Sequence, residues 1–433
     1  MRTGFLVVFL VAVLGAPAQA LPLFARQTGQ NCQACHAGGQ FPELTAYGRM
    51  FKLTGYTLGE RTVPLAAMVV ASRSSVANTS KSADPAADFQ KNNEAFVATA
   101  SLFLGGKITD RIGAFTQITY DPYAAQDASG QFHGHSSVDN IDVRYADRFV
   151  SPDRDLIVGV SLNNNPSVSD PWNTAAAWMQ YVPVPSPTSS RFVDGAAPYP
   201  GYGAAAPLAG VTAYAFWNRT IYAELGGYRS ARGALRFMSA GVAPEELTRI
   251  NGLSPYWRFA FNREWGPHSL MVGTSGMRSR FYDDPLDTSS PLHRSRDLIL
   301  DAQYQYLLDP HSVTVQLVHE RSRIDDDDMT HLWRAKSTYV YNAKYGASAG
   351  FFDLTGNTNP ANQVANPVDG NIAGNPGTRG YTLEAFWMPV QYLRVGVQYT
   401  GYTRFNGASR NYDGFGRDAK DNNTLFLYLW GAY

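Results

Sequence analysis

Cysteine is nearly absent. The 433-residue chain holds two, Cys32 and Cys35, so any thiol chemistry is confined to one place. Charge is scarce at 17% and balanced, with Lys+Arg 36 against Asp+Glu 36. That excludes a basic nucleic-acid binder and an acidic disordered tail as readings of the whole chain. Long hydrophobic runs are missing as well. The longest covers residues 5–14, and ten residues cannot span a bilayer as a helix. A mean hydropathy of −0.25 is too polar for a bundle of membrane helices. Any insertion into a membrane must therefore be as a β-barrel. The chain has no Ser-His-Asp arrangement, no phosphate-cradling glycine loop and no metalloprotease HExxH. What it does have is aromatic and turn-forming residues: Gly 39, Tyr 25, Phe 23 and 13% aromatics, which favour many strands and turns.

Arg2 precedes the apolar run and Ala18-Gln19-Ala20 follows it. A positive start, an apolar middle and a small-residue cleavage site predict a signal peptide over residues 1–20 and an exported mature chain. Shortly after it stands Cys32-Gln33-Ala34-Cys35-His36. This spacing fits covalent attachment of a c-type haem. Two thiols three residues apart can add to the two vinyl groups, and the adjacent imidazole of His36 becomes the proximal iron ligand. A disulfide or thioredoxin-like pair is the alternative, but no βαβ pattern surrounds the motif and such a pair needs no histidine. For the sixth position Met50 is the first candidate, since methionine opposite histidine raises the potential. Met68, Lys52 and an open position are the others.

From about residue 63 the chain alternates apolar and polar residues in segments of about ten, the pattern of outer-membrane strands. We expect sixteen: 64–77, 93–107, 110–122, 138–150, 154–163, 207–218, 220–229, 255–263, 268–277, 297–308, 311–322, 332–345, 347–356, 379–388, 391–403 and 424–433. The connections alternate long and short, with 78–92, 123–137, 164–206, 230–254, 278–296, 323–331, 357–378 and 404–423 as the long ones. An even count with long outer loops and short inner turns places both termini in the periplasm. Ile141, Val143 and Tyr145 should face lipid, opposite Asp142, Arg144 and Arg148. Leu298, Leu300, Ala302 and Tyr304 should oppose Asp301, Gln303 and Gln305. Arg334, Lys336, Thr338, Asn342 and Lys344 should share a lumen face. At the C-terminus Leu425, Leu427 and Leu429 alternate up to Tyr433, with Phe426, Tyr428 and Trp430 as expected girdle aromatics. The domain reading is then 1–20 signal peptide, 21–62 haem segment and 63–433 barrel. A pair of soluble β-sandwiches would have no reason to alternate its loop lengths.

Phe24-Ala25-Arg26-Gln27-Thr28-Gly29, the CxxCH, Phe41-Pro42-Glu43-Leu44-Thr45, Tyr47-Gly48-Arg49-Met50-Phe51-Lys52 and Gly55-Tyr56 resemble the fused cytochrome–porin family. Its best-known members are the outer-membrane iron-oxidising cytochromes. The likeness is dense over residues 22–57. A second patch, Asn163-Asn164-Asn165-Pro166 through Trp172-Asn173-Thr174 to Trp178, is similar to that family's barrel region. The resemblance implies one haem c and Fe(II) as external donor, hence an electron-transfer oxidoreductase.

Residues 21–62 are too few to build their own core, so the segment should pack in the lumen, with the barrel as the wall around the haem. Arg26, Arg49 and Lys52 are then candidates to pair its propionates, or else plain partners of lumen acids such as Glu224 or Glu384. The expected function is an outer-membrane electron conduit that passes single electrons inward to a periplasmic c-type cytochrome or other carrier. Membrane lipid surrounds it and nucleic acid plays no part. The rivals are a diffusion porin with a structural haem plug, a cytochrome–porin with a non-iron donor, and a peroxidase-like oxidoreductase. The 164–206 loop, with Trp172, Trp178 and Met179, either folds inward over the haem or stays outside. Asp325–Asp328 and the pair His133 and His135 fall in expected outer loops and read first as solvated groups, second as cation sites.

Overall fold

A sheet whose strands alternate lipid-facing and lumen-facing residues leaves no backbone group unpaired only if it closes. In the computed structural model it does. Sixteen antiparallel strands follow one another around the barrel in chain order, and β1 pairs β16 from Met68↔Ala432 to Val76↔Thr424. They are β1 (Leu65–Val76), β2 (Ala95–Lys107), β3 (Ile112–Gln126), β4 (Phe132–Ser151), β5 (Arg154–Asn163), β6 (Leu208–Trp217), β7 (Ile221–Ser230), β8 (Ser254–Trp265), β9 (His268–Tyr282), β10 (Leu292–Leu308), β11 (His311–Ile324), β12 (Asp328–Tyr341), β13 (Tyr345–Gly356), β14 (Thr378–Val390), β15 (Leu393–Arg404) and β16 (Thr424–Ala432). Among the described residues three short helices precede them: α1 (Pro22–Thr28), α2 (Cys32–Cys35) and α3 (Ala46–Leu53). A fourth, α4 (Pro166–Ser169), follows β5. The structure describes residues 22–39, 43–61, 63, 65–79, 92–126, 132–174, 208–325 and 328–433. The expected leader and the 175–206 part of the long loop, with Trp178 and Met179, lie outside them. Among the described residues no helix is long and apolar enough to cross a membrane.

The expected faces hold in the strand interiors. Leu298 and Leu300 are exposed outward, whereas Asp301, Gln303 and Gln305 are buried inside, as are Asp142 and Arg144. Four expectations need correction. The ladder of β4 starts at Phe132, so His133 and His135 lie in a strand, opposite Ala125 and Asp121, and not in a loop. The loop expected at 323–331 is only the connection 325–327, because β11 and β12 pair up to Ile324↔Asp328. In both places the apolar alternation stops before the hydrogen-bonded ladder does. Asn342 and Lys344 belong to the turn after β12. Phe426, Tyr428 and Trp430 are not girdle residues. They point inward and pack, buried, with Leu23 and Phe103, while Leu425 and Leu427 face out.

The lumen is crossed by chain. Asn165 caps α4 by accepting from Val168 N–H, with Pro166 preset for the first turn. This turn carries the loop inward, so that Trp172 is fully buried, its ring edge-on to Phe216 and Tyr222. Arg258 from the wall meets Asp170 at 3.1 Å and Asp301 at 2.7 Å. The Gln303 amide donates to the Trp172 carbonyl at 2.9 Å. The described start of the long loop therefore lies inside the barrel.

Arg258→Met strands two buried carboxylates and should lower stability by roughly 3–5 kcal/mol, the usual cost of breaking a buried pair from one side. Asp110→Asn removes an exposed partner of Lys107 and should leave stability unchanged. Thermal loss of the compact band on semi-native gels measures both. Equal melting of Arg258→Met and wild type would detach this pair from the loop's placement.

Candidate functional site

The CxxCH motif forms a single capped turn. Asn31 accepts from the Ala34 N–H at the start of α2, and the His36 N–H donates to the Cys32 carbonyl at 2.8 Å. The chain then doubles back. Ala37 N–H donates to the Glu43 carbonyl, Thr45 N–H donates to the Cys35 carbonyl, both at 2.9 Å, and His36 bridges Leu44. Thr45 caps α3 by accepting from Gly48 N–H. Gly48 is required here by a close approach: a Cβ on it would lie 2.1 Å from the Cys35 carbonyl oxygen. The two family-like motifs are thus one packed unit. Phe24 joins it, with its ring 4.9 Å from Phe51 and 5.5 Å from Tyr56.

The barrel wall holds this unit at the end where the turns are short. Cys32 N–H donates to Gln391 Oε1 at 3.4 Å in the turn after β14. A Cβ on Gly38 would lie 2.6 Å from Val340 Cγ2, and Val340 forms a buried cluster with Phe386 and Met388. Beside that cluster the lumen face is open-textured. Gly346, Ser348 and Gly350 of β13 stand opposite Val340, Thr338 and Lys336 of β12, and most of these inward residues are only half-buried.

Both cysteines are free thiols, Cys32 buried and Cys35 half-buried. Burial, helped by the neighbouring Cys32, pushes the Cys35 thiol up to about 11. A redox CxxC pair is marked by a lowered thiol pKa, so this environment disfavours that reading. Burial lowers the His36 imidazole to about 4, leaving it neutral, the form that ligates a metal. Its Nδ1 is a buried atom with no hydrogen-bond partner. Two free thiols and one neutral imidazole on a single turn are the donor set that thioether anchoring and iron ligation of a haem would use. Among the described residues no group of three or more His, Cys, Asp or Glu side chains is placed to hold a metal ion.

The three cations expected to meet propionates are engaged within the protein. Arg49, buried, donates to Glu264 at 3.0 Å, to Gln305 and to the Leu44 carbonyl. Lys52 donates to the Asp170 carbonyl at 2.7 Å, and burial, with Arg144 nearby, lowers its pKa to about 8. Arg26 donates to the carbonyls of Leu65 and Val63. Of the two lumen acids expected as their partners, Glu384 pairs with Arg394 and Glu224 accepts from Tyr222. Met50 is buried in a cluster with Leu53, Trp172 and Tyr222, and so joins α3 to the inward loop. Met388, not among the methionines expected from the sequence, is buried with Val340, the residue that Gly38 abuts. Its only signal in the sequence was inward parity near a turn.

Asp325, from the acidic run, accepts from His293 and from the Arg294 backbone N–H, each at 2.8 Å. It is spent on its own turn.

No protein-family model matches the chain, and no curated protein matches it in sequence. Among solved structures it is similar to Salmonella typhi OmpF in complex with daunomycin, with a TM-score of 0.52 and 10% identity over 85% of this chain and 97% of that one. It is also similar to an anion-selective porin from Comamonas acidovorans, with a TM-score of 0.44 and 10% identity over 86% of this chain and 99% of that one. The outer membrane channel DcaP of Acinetobacter baumannii matches with a TM-score of 0.44 and 8% identity, over 85% and 96%. At such identity the likeness concerns the fold, a sixteen-stranded porin-like barrel.

Gly48→Ala should drive α3 away from the CxxCH turn, because the Cys35 backbone cannot move aside. Arg49 and Lys52, buried in the native protein, should then become trypsin sites. Mass spectrometry of the digested full-length protein reads this directly. Wild-type resistance in the variant would refute the tight packing.

Proposed function

We propose that this chain is an outer-membrane electron conduit that takes single electrons from an external donor, probed first with Fe(II), and hands them to a periplasmic carrier. The observation that carries the reading is the placement of Cys32, Cys35 and His36 on one turn packed against the wall of a closed barrel at its short-turn end. A covalently bound haem would supply the one-electron chemistry. The chain's own residues do the rest. Cys32 and Cys35 anchor, and neutral His36 presents a ring nitrogen. Val340, backed by Phe386 and Met388, covers Gly38 on one side of the turn. The inward loop, held through Arg258 and Trp172, obstructs solute passage through the lumen. A role for Arg26, Arg49 or Lys52 toward the haem carboxylates would require each to exchange its present partners. In this reading the long loops face outside and both termini lie in the periplasm.

The second reading is a diffusion porin, which the porin-like neighbours and the half-buried β12–β13 lumen face favour. Planar-bilayer recordings separate the two. The conduit should pass little ionic current and its chromophore should be reduced by external Fe(II) in oriented liposomes, with no iron carried inside. Free conductance with no reduction by any external donor would replace the conduit by the porin. Reduction by another donor, but not by Fe(II), would remove only iron.

Haem attachment and ligation have their own test. The protein should stain for haem after denaturing electrophoresis, and Cys32→Ala or Cys35→Ala should lose most of the stain. Full covalent staining in both variants would overturn the attachment. Met50→Leu and Met388→Leu then ask which methionine ligates. Loss of the far-red ferric band and a lowered potential in one variant alone identifies it. Absence of that band in the wild type excludes both.

A further inference from the structure

One acidic side chain inside the barrel departs from the pairing found elsewhere in the lumen. Glu320 of β11 is 1% exposed, and neither of its carboxylate oxygens has a hydrogen-bond partner. Arg334 stands diagonal to it on β12 but donates to neither oxygen. A second buried acid lies beside it on β10. Asp297 is opposite Ser322, the next inward pair after Ile299 and Glu320. Ser322 donates to one Asp297 oxygen at 2.5 Å and Ser295 donates to the other at 2.8 Å. Ser279 of β9, opposite Ser295, adds a buried hydroxyl with no hydrogen-bond partner on the same inward face.

A buried carboxylate is neutralised by a proton or by a cation. A proton on Glu320 would itself need an acceptor, and none lies within hydrogen-bond distance of either oxygen. The adjoining wall is apolar. Ile299, opposite Glu320, and Val318, two residues before it, belong to a buried cluster with Met277 and Tyr256. Apart from Arg334, the polar side chains gathered at this point offer oxygen alone, from two carboxylates and the hydroxyls of Ser279, Ser295 and Ser322. Such a set suits a hard divalent cation, whereas copper and zinc prefer imidazole or thiolate. Glu320 follows His311, the first residue of β11, by nine positions. At about 3.4 Å per residue and a tilt of roughly 40° they rise about 23 Å. The two acids therefore lie toward the long-loop mouth, away from the CxxCH turn.

We infer that Asp297 and Glu320 bind one hard divalent cation, of the Ca²⁺ or Mn²⁺ class, with Ser279 and Ser322 beside it. The ion ties β9, β10 and β11 together on the inner face of the wall, and the charge of Arg334 keeps its affinity modest. The site needs only the barrel and is independent of the haem reading.

The test is a Mn²⁺ titration of the chelator-washed, full-length protein in detergent, read by loss of the free-ion electron paramagnetic resonance signal. The wild type should take up one Mn²⁺ with a dissociation constant on the order of 0.1–1 mM, as in extracellular oxygen-ligand sites. Ca²⁺ should displace it. Glu320→Gln and Asp297→Asn should each weaken uptake about tenfold or more, since affinity follows the number of charged ligands. Asp284→Asn, on an exposed loop, should bind as the wild type does. Heat-modifiable mobility checks that each variant forms the barrel. In the wild type Mn²⁺ should also raise the temperature at which the compact band is lost, and a chelator should reverse this, a readout that stands even where a variant does not fold. No uptake and no heat protection in the wild type, or undiminished uptake by the folded variants, overturns the proposal. Displacement by Na⁺ as readily as by Ca²⁺ overturns it in favour of a monovalent site. A Glu320→Gln barrel that melts higher than the wild type with and without Mn²⁺ assigns Glu320 a proton and overturns it too.

Discussion

A charge that is buried inside a closed barrel must find its partner there, because the wall offers it no exit to solvent. Much of the architecture follows from that constraint. Arg144 meets Asp142 at 2.7 Å, and Asp142 also accepts from the Tyr56 hydroxyl at 2.6 Å. The same Arg144 donates to the Ser169 carbonyl at 2.8 Å. One buried pair in the wall thus fastens both the N-terminal segment and the inward loop. Arg258, between Asp170 and Asp301, fastens the loop a second time. The segment before β1 is therefore part of the barrel's interior, and its polar residues complete the wall's polar residues.

This arrangement explains how so short a segment holds a defined turn. Its aromatic trio, Phe24, Phe51 and Tyr56, supplies a small core, but Leu23 completes its packing only against Phe103, Phe426 and Trp430 of the wall. Gln27 adds a polar tie: its side-chain amide donates to the Tyr56 and Leu58 carbonyls, and its oxygen accepts from the Lys107 N–H of β2. The CxxCH turn inherits a fixed setting from these contacts. That setting keeps the imidazole neutral and the Cys35 thiol protonated.

The lumen is uneven in consequence. On the β4–β10 side, Arg144, Arg258, Trp172 and Tyr222 are fully buried in it. On the β12–β14 side, glycine and serine line it beside the CxxCH turn. The rims differ too: Arg148 and Arg219 share Asp155 at the short-turn rim, while arginines gather on β9, β10 and β11 toward the long loops.

The number of strands, the faces of their central residues and the pairing of cysteines with histidine were legible from residue order, because each depends on spacing along one strand or one turn. Leu298 against Asp301 and the turn Cys32–His36 are local facts of that kind. Strand ends were less legible. His133, His135 and Asp325 sit where hydrophobic alternation has stopped but backbone pairing continues, and only the partner strand reports that. Phe426, Tyr428 and Trp430 read as girdle aromatics until the N-terminal segment was seen to occupy the lumen against them. The partners of Arg49, Lys52 and Met50, and the approach of Val340 to Gly38, lie up to hundreds of residues away in the chain. Closure of the barrel brings them together, and closure depends on all sixteen registers at once, which no single window of sequence contains.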